Sequence, residues 1–335
     1  MRVAVTGATG TIGRALVTAL TTRGDEVTVL SRNPERARGT LGVSAERPVA
    51  GSAEGARGED AGAGGRGALE AVAWPDPKAA PPPLDALRGR DAVVNLLGEQ
   101  IAQRWSDAAK REIRDSRVLA TRNLVAALAE LPEAERPGTL VSQSGAGWYG
   151  HRGDERLDES APAGDDFLAR LSADWEAEAR RAEELGVRVV VNRTGMVLSP
   201  TGGALEKMLP FFKAGVGGPV AGGRQYVPWV HLDDVVGAFV FELDTEGASG
   251  PVNLTAPESA TNRHFSKTLG RVLRRPAFAP VPALAVKALY GEMAEIVTTG
   301  QRAVPARLTE LGYQFRQPEL EAALRDATGS TRAGS

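Results

Sequence analysis

Three side chains stand where they could do chemistry. Ser144 ends the strand-like run "GTLVSQSG", Tyr149 follows it in "GWYG", and Glu99 closes "DAVVNLLGE". A serine hydroxyl can hydrogen-bond a carbonyl but is a poor acid. A phenol can supply a proton, and a carboxyl can act as acid or base once burial raises its pKa. Each has a plain structural alternative: a turn serine, an aromatic wall beside Trp148, a hydrogen-bonded loop carboxylate.

The loop "GATGTIG" spaces Gly7, Gly10 and Gly13 as G-x-x-G-x-x-G between a strand and a helix. Glycines let the backbone turn sharply and approach a pyrophosphate, whose charge the helix N-terminus stabilises. Dinucleotide binding by Gly7, Thr9, Gly10, Thr11, Ile12 and Gly13 is the expectation. The second strand ends in Ser31 and Arg32 rather than an Asp or Glu. A guanidinium suits a 2′-phosphate, so NADP(H) is preferred, with NAD(H) open. Leu97 and Gly98 at the end of the fourth strand, and Gly195 and Val197 in "GMVLS", are expected along the cofactor; Arg193 is expected to contact phosphate or substrate.

Elements must hold these groups together. "RVAVTG", "EVTVLSR", "DAVVNLLG", "GTLVSQSG" and "VRVVVNRTG" read as buried parallel strands. Helical periodicity follows them, in "TIGRALVTALTTRG", in 106–131 with Ser106 as N-cap, and in "FLARLSADWEAEARRAEELG". The alternation predicts an α/β fold: a Rossmann-type doubly wound parallel sheet with a small, mostly helical C-terminal lobe. The expected organisation is a cofactor domain over 1–200, with 225–255 returning to it, a lobe from 201–224 and 256–328, and a tail at 329–335. Residues 42–71, rich in Gly, Ala and charge, read as a disordered insertion.

Composition excludes several classes. The chain has 335 residues and no cysteine, so disulfides and thiolate sites are absent. Three dispersed histidines do not suggest a metal site. A net charge of −2 disfavours a nucleic-acid partner. No signal segment or membrane span is visible, so a cytoplasmic protein with no membrane partner is expected, as monomer or homodimer.

Longer stretches carry a resemblance: "NLLGEQIAQRW", "DSRVLATRNLV", "SQSGAGWYGHRGDE", "GDDFLARLSADWE", "NRTGMVLSPTGGAL", "YVPWVHLDDVVGA" and "GEMAEIVTTGQRAVPARLTELGYQFRQPELEAALRD". With the glycine loop they resemble extended short-chain dehydrogenase/reductases, and among these the atypical epimerase-family oxidoreductases that carry a distinctive C-terminal domain. The wider superfamily uses Asn, Ser, Tyr and Lys. The resemblance places Arg117, Ser144, Phe167 and Leu171 at those positions. Only the serine survives, and no Tyr-x-x-x-Lys exists in the chain. Arg117 could bind an anionic group, or pair with Asp115 or Glu112.

Other residues have weaker signals. His231, Asp233 and Asp234 resemble a stretch that anchors the sheet to the substrate lobe, with Asp233 able to N-cap the next helix. Trp105, Lys110 and Trp229 could line a cleft or pack the core, and "PALAVKALYGEMAEIV" is expected to pack as core and lid. The combined expectation is an NADP(H)-dependent oxidoreductase using Ser144, Tyr149, Glu99 and Arg117 on a small carbonyl or conjugated alkene. A nucleotide-sugar epimerase and a non-catalytic NADP sensor are the alternatives.

Overall fold

The computed structural model describes residues 1–42 and 67–330. Its chain runs β1 (Arg2–Thr6), α1 (Thr11–Arg23), β2 (Glu26–Ser31), α2 (Pro34–Leu41), β3 (Leu69–Ala73), β4 (Ala92–Asn95), α3 (Asp107–Glu130), β5 (Thr139–Gly145), α4 (Phe167–Arg180) and β6 (Arg188–Thr194). It continues through α5 (Gly203–Lys213), α6 (Leu232–Asp244) and β7 (Gly250–Leu254). The lobe then adds α7 (Asn262–Leu273), α8 (Ala283–Tyr290), α9 (Glu295–Thr298), α10 (Ala306–Glu310) and α11 (Leu320–Ala327).

The central sheet is parallel, in the order β7-β6-β5-β4-β1-β2-β3. Strand order reverses between β1 and β4, which opens a crevice at the carboxyl ends of these two strands. Both faces are covered, so the strands are nearly continuous apolar runs. Val3, Val5, Val94, Val141 and Val190 pack under α1 and α6. Ala4, Val93, Leu140, Val189 and Val191 pack against Leu124 and Leu128 of α3 and Ala179 of α4. A third cluster around Phe212, Trp229, Phe265 and Leu324 makes the lobe's own core.

Local signals set the helix ends. Ser106 caps α3 by accepting from Ala109 N, and Asp166 caps α4 by accepting from Ala169 N. At α6 the expectation fails: His231 is the cap, its Nδ1 accepting from Asp233 N at 3.2 Å, and Asp233 lies inside the first turn. The segment expected as a disordered insertion, 42–71, also needs correcting at its end. Leu69–Ala71 belong to β3, paired with Val27–Val29 of β2. A short edge strand gives little apolar signal in sequence. Residues 43–66 and 331–335, which hold most of that segment and most of the tail, lie outside the described residues.

Candidate active site

At the crevice, the glycine loop is shaped by contacts that forbid side chains. Gly7 adopts φ +65°, and a Cβ there would strike the Leu96 backbone. A Cβ on Gly13 would strike Gly7 O and Ala8, so α1 sits tight against the loop. Gly10 N donates to Gly7 O at 3.1 Å, closing the turn. Thr9 and Gly10 are exposed and Thr11 and Ile12 half-buried at the start of α1. Arg32 is exposed at the end of β2, and Arg36, which the sequence reading passed over, is exposed in the first turn of α2. Ser31 is half-buried and turned to the Asn33 backbone, accepting from Asn33 N at 3.2 Å.

The loop after β4 is fastened from below. Thr6 Oγ1 donates to Asn95 Oδ1 and accepts from Leu96 N, while Asn95 Nδ2 reaches Thr121 and Ser142. Leu97 and Glu99 are half-buried and Gly98 is exposed. Glu99 N donates to Ser116 Oγ, and Glu99 O accepts from Arg117 Nη2 at 2.8 Å. Arg117 is 7% exposed, gives Nη1 to Ile113 O, and stacks over Trp175 at 5.3 Å. Its partners are therefore carbonyls, not Glu112 or Asp115; those carboxylates pair with Lys78 and Arg114. Burial lowers the Arg117 pKa to about 10, against the favourable charge of Glu99.

At the end of β5 the remaining candidates form one buried brace. Ser144 Oγ donates to Glu176 Oε1 at 2.7 Å. Arg193 forks onto the same carboxylate, Nε to Oε1 and Nη2 to Oε2, each at 3.0 Å. Its Nη1 reaches Tyr149 OH at 3.2 Å, and its guanidinium lies 3.8 Å from the centre of the Trp148 ring. Tyr149 OH donates to Asn253 Oδ1 at 2.6 Å, and Asn253 Nδ2 reaches Leu157 O and Val304 O. The brace thus joins β5, α4, β6, β7 and the lobe.

Its electrostatics constrain the chemistry. Tyr149 is wholly buried, and desolvation pushes its pKa up to about 12, although Arg193 pulls the other way. Burial opposes the charge on Arg193, but the hydrogen bonds and charge of Glu176 outweigh it and hold the pKa above its ordinary value. The Ser144 proton is committed to Glu176. Glu176 and Asn253 were missed because they lie on elements far apart in sequence.

The face of α4 that reaches β5 is the row Leu168, Ser172 and Glu176, four residues apart. Gly147 sits against Leu168. Phe167 and Leu171 pack in an apolar cluster with Trp105, Ile113, Trp175 and Met293, which Leu168 also joins. Phe167 meets Trp105 edge-on at 5.0 Å. The α4 side chain that reaches Ser144 is Glu176. Phe167 and Leu171 themselves offer neither a phenol nor an amine.

The lobe closes over this region. Lys207 Nζ donates to Ala102 O at 2.6 Å, and Lys110 pairs with Glu292. Trp105 and Lys110 lie along that seam, whereas Trp229 is 1% exposed in the lobe core. Gly195 and Val197 are half-buried just beyond β6. His231 and Asp234 anchor the lobe. His231 Nε2 lies 3.0 Å from Asp326, and Asp234 accepts from Arg316 N and Gln317 N at 2.6 and 3.0 Å. His231, Asp233 and Asp326 are of ligand type and come within 4.8 Å of one another. The ring's Nδ1 is already occupied by the cap bond.

A family model described as the NAD dependent epimerase/dehydratase family matches residues 3–254. The chain belongs to that family. A second model, a domain of unknown function named DUF1731, matches 281–327. Epimerase family protein MT2273 of Mycobacterium tuberculosis is 46% identical over 251 residues, 74% of this chain and 81% of that protein. The crystal structure of human epimerase family protein SDR39U1 (isoform 2) with NADPH is 35% identical, covers 99% of this chain and 100% of that one, and has a TM-score of 0.80. The structure of a nucleoside-diphosphate sugar epimerase from Corynebacterium glutamicum is 32% identical, with a TM-score of 0.70, over 98% of this chain and 58% of that one. The atypical short-chain dehydrogenase/reductase character, the Rossmann-type sheet and the distinctive C-terminal domain expected from sequence are all found.

Proposed function

We propose that this epimerase-family member is an NADP(H)-dependent oxidoreductase acting on a small organic carbonyl or conjugated alkene, without a Tyr–Lys pair. The observation that carries the reading is the crevice itself. A loop in which Gly7 and Gly13 leave no room for a Cβ opens α1, and β2 ends in Ser31 and exposed Arg32 instead of a carboxylate. The human relative solved with NADPH supports the same cofactor.

The residues present fit a dinucleotide. Gly7, Thr9, Gly10, Thr11, Ile12 and Gly13 would hold its pyrophosphate, and Arg32 with Ser31 its 2′-phosphate, assisted by Arg36. Leu97, Gly98, Gly195 and Val197 would border its nicotinamide half. When bound, the group gives or accepts a hydride. Arg193 is consumed by Glu176 and serves as a brace for the site rather than as a phosphate ligand.

The protein's own residues position and exclude. Ser144, whose proton is committed to Glu176, sets the end of β5. Tyr149 is sealed in and raised in pKa, a poor proton source. Arg117 holds the Gly98–Glu99 loop and leaves a half-buried carboxyl, Glu99, on the loop after β4. Water, or Glu99 through water, is the proton source this arrangement favours. Epimerisation needs a strong base beside the nicotinamide, and the positions that the resemblance assigns to the Tyr–Lys pair hold Phe167 and Leu171. A non-catalytic NADP sensor is the second reading, favoured by the internal use of both Ser144 Oγ and Tyr149 OH.

The test is NADPH consumption by the purified protein over a panel of aldehydes, ketones and enones. Turnover that falls in Glu99→Gln supports the enzyme. NADPH binding with no turnover of any member favours the sensor.

A further inference from the structure

Apart from Met1, every exposed large apolar side chain among the described residues belongs to the C-terminal lobe. Phe278 and Leu284 are each 78% exposed and Leu289 65%, with Phe211 and Val216 beside them. α8, "ALAVKALY", buries only Val286. The stretch expected to pack as core and lid therefore leaves most of this helix in solvent. An apolar concentration of this kind marks an interaction surface.

The segments that carry Phe211, Val216 and Phe278 lie side by side. Val216 N donates to Phe211 O, Arg275 Nε donates to Lys213 O at 3.0 Å, and Val281 N donates to Pro219 O at 2.8 Å. The segment 211–220 thus runs alongside 275–281, which leads into α8.

The charge of the same two segments is one-sided. Residues 259–291 hold Arg263, Lys267, Arg271, Arg274, Arg275 and Lys287 and no Asp or Glu, and 207–232 also hold only basic charges. The whole chain has a net charge of −2, so two acid-free segments stand out from the rest. In a symmetric dimer the same patch meets itself, and a basic rim would repel its copy. An anionic surface would be attracted. Side chains as prominent as Phe278 and Leu284 also fit a fluid layer, which needs no shaped pocket.

We propose that this face docks on an anionic lipid bilayer. Phe278, Leu284 and Leu289 enter the acyl boundary, and Lys213, Arg274, Arg275 and Lys287 meet the headgroup phosphates. The association is interfacial. Among the described residues no helix is long and apolar enough to cross a membrane.

The test is co-sedimentation of the full chain with phosphatidylcholine vesicles, with and without about a third phosphatidylglycerol. Binding is expected on the anionic vesicles and is weakened by salt. Leu284→Asp with Leu289→Asp should lower it on the order of tenfold or more. Arg274→Glu and Lys287→Glu should each lower it about fivefold or more. All four positions are exposed, and an unchanged thermal midpoint shows that the variants fold. Two results would overturn the proposal in favour of a protein partner: indifference to anionic vesicles, or a solution dimer that Leu284→Asp dissociates. Binding that none of the four substitutions alters would also overturn it.

Discussion

Glu176 and Arg193 meet as a two-pronged ion pair, both contacts at 3.0 Å, with each side chain about 5% exposed or less. The pair fastens α4 to β6, and Ser144 rests on the same carboxylate. A buried pair adds little net stability over an apolar replacement, but losing one partner strands a charge. Glu176→Gln should therefore lower unfolding free energy by about 3–5 kcal/mol, read by urea denaturation. A loss under 1 kcal/mol would mean that the charge on Arg193 finds other compensation.

Glu242 makes stability depend on pH. It is fully buried on α6, and desolvation pushes its pKa up to about 8 despite the hydrogen bond from Asn192. The folded pKa lies above the unfolded one. Its contribution is thus complete below the ordinary carboxyl range and is lost as pH rises through about 8. Unfolding free energy should fall by a few kcal/mol across that window. Glu242→Gln should flatten the curve; a wild-type profile unchanged by the substitution would refute the assignment.

Tyr149→Phe separates two roles. As a brace, the hydroxyl satisfies buried Asn253 Oδ1, so its loss should cost about 1–3 kcal/mol of stability. As a proton donor, its loss should lower turnover by about 10²–10⁴-fold. The structure supports the first, with turnover kept within a few-fold once a substrate is in hand.

Gly13→Ala tests the loop. Its Cβ would collide with Gly7 O and Ala8 and push α1 away from the crevice. NADPH affinity should fall on the order of tenfold or more, measured by calorimetry, because the third glycine permits close helix packing. Unaltered affinity would mean that the loop does not hold the cofactor.

The sheet and the glycine loop were legible because their causes are local. Buried parallel strands show as Val-rich runs, and the loop glycines are demanded by backbone contact. The brace was not legible, since Glu176, Arg193 and Asn253 meet only after α4, β6 and β7 assemble. Arg117 was noticed, but its carbonyl partners belong to loop geometry. Cleft and core stayed open for Trp229, which fills the lobe core, as aromatic type alone does not separate the two. β3 was missed because an edge strand beside a Gly-rich segment carries little pattern.

The central claim is tested most directly by calorimetric titration with NADPH, NADH and their oxidised forms, for the wild-type protein and Arg32→Ala. The account expects NADPH to bind more tightly than NADH, and Arg32→Ala to remove that preference while sparing NADH. Absence of binding by all four nucleotides, or a preference for NADH that Arg32→Ala leaves untouched, would contradict it.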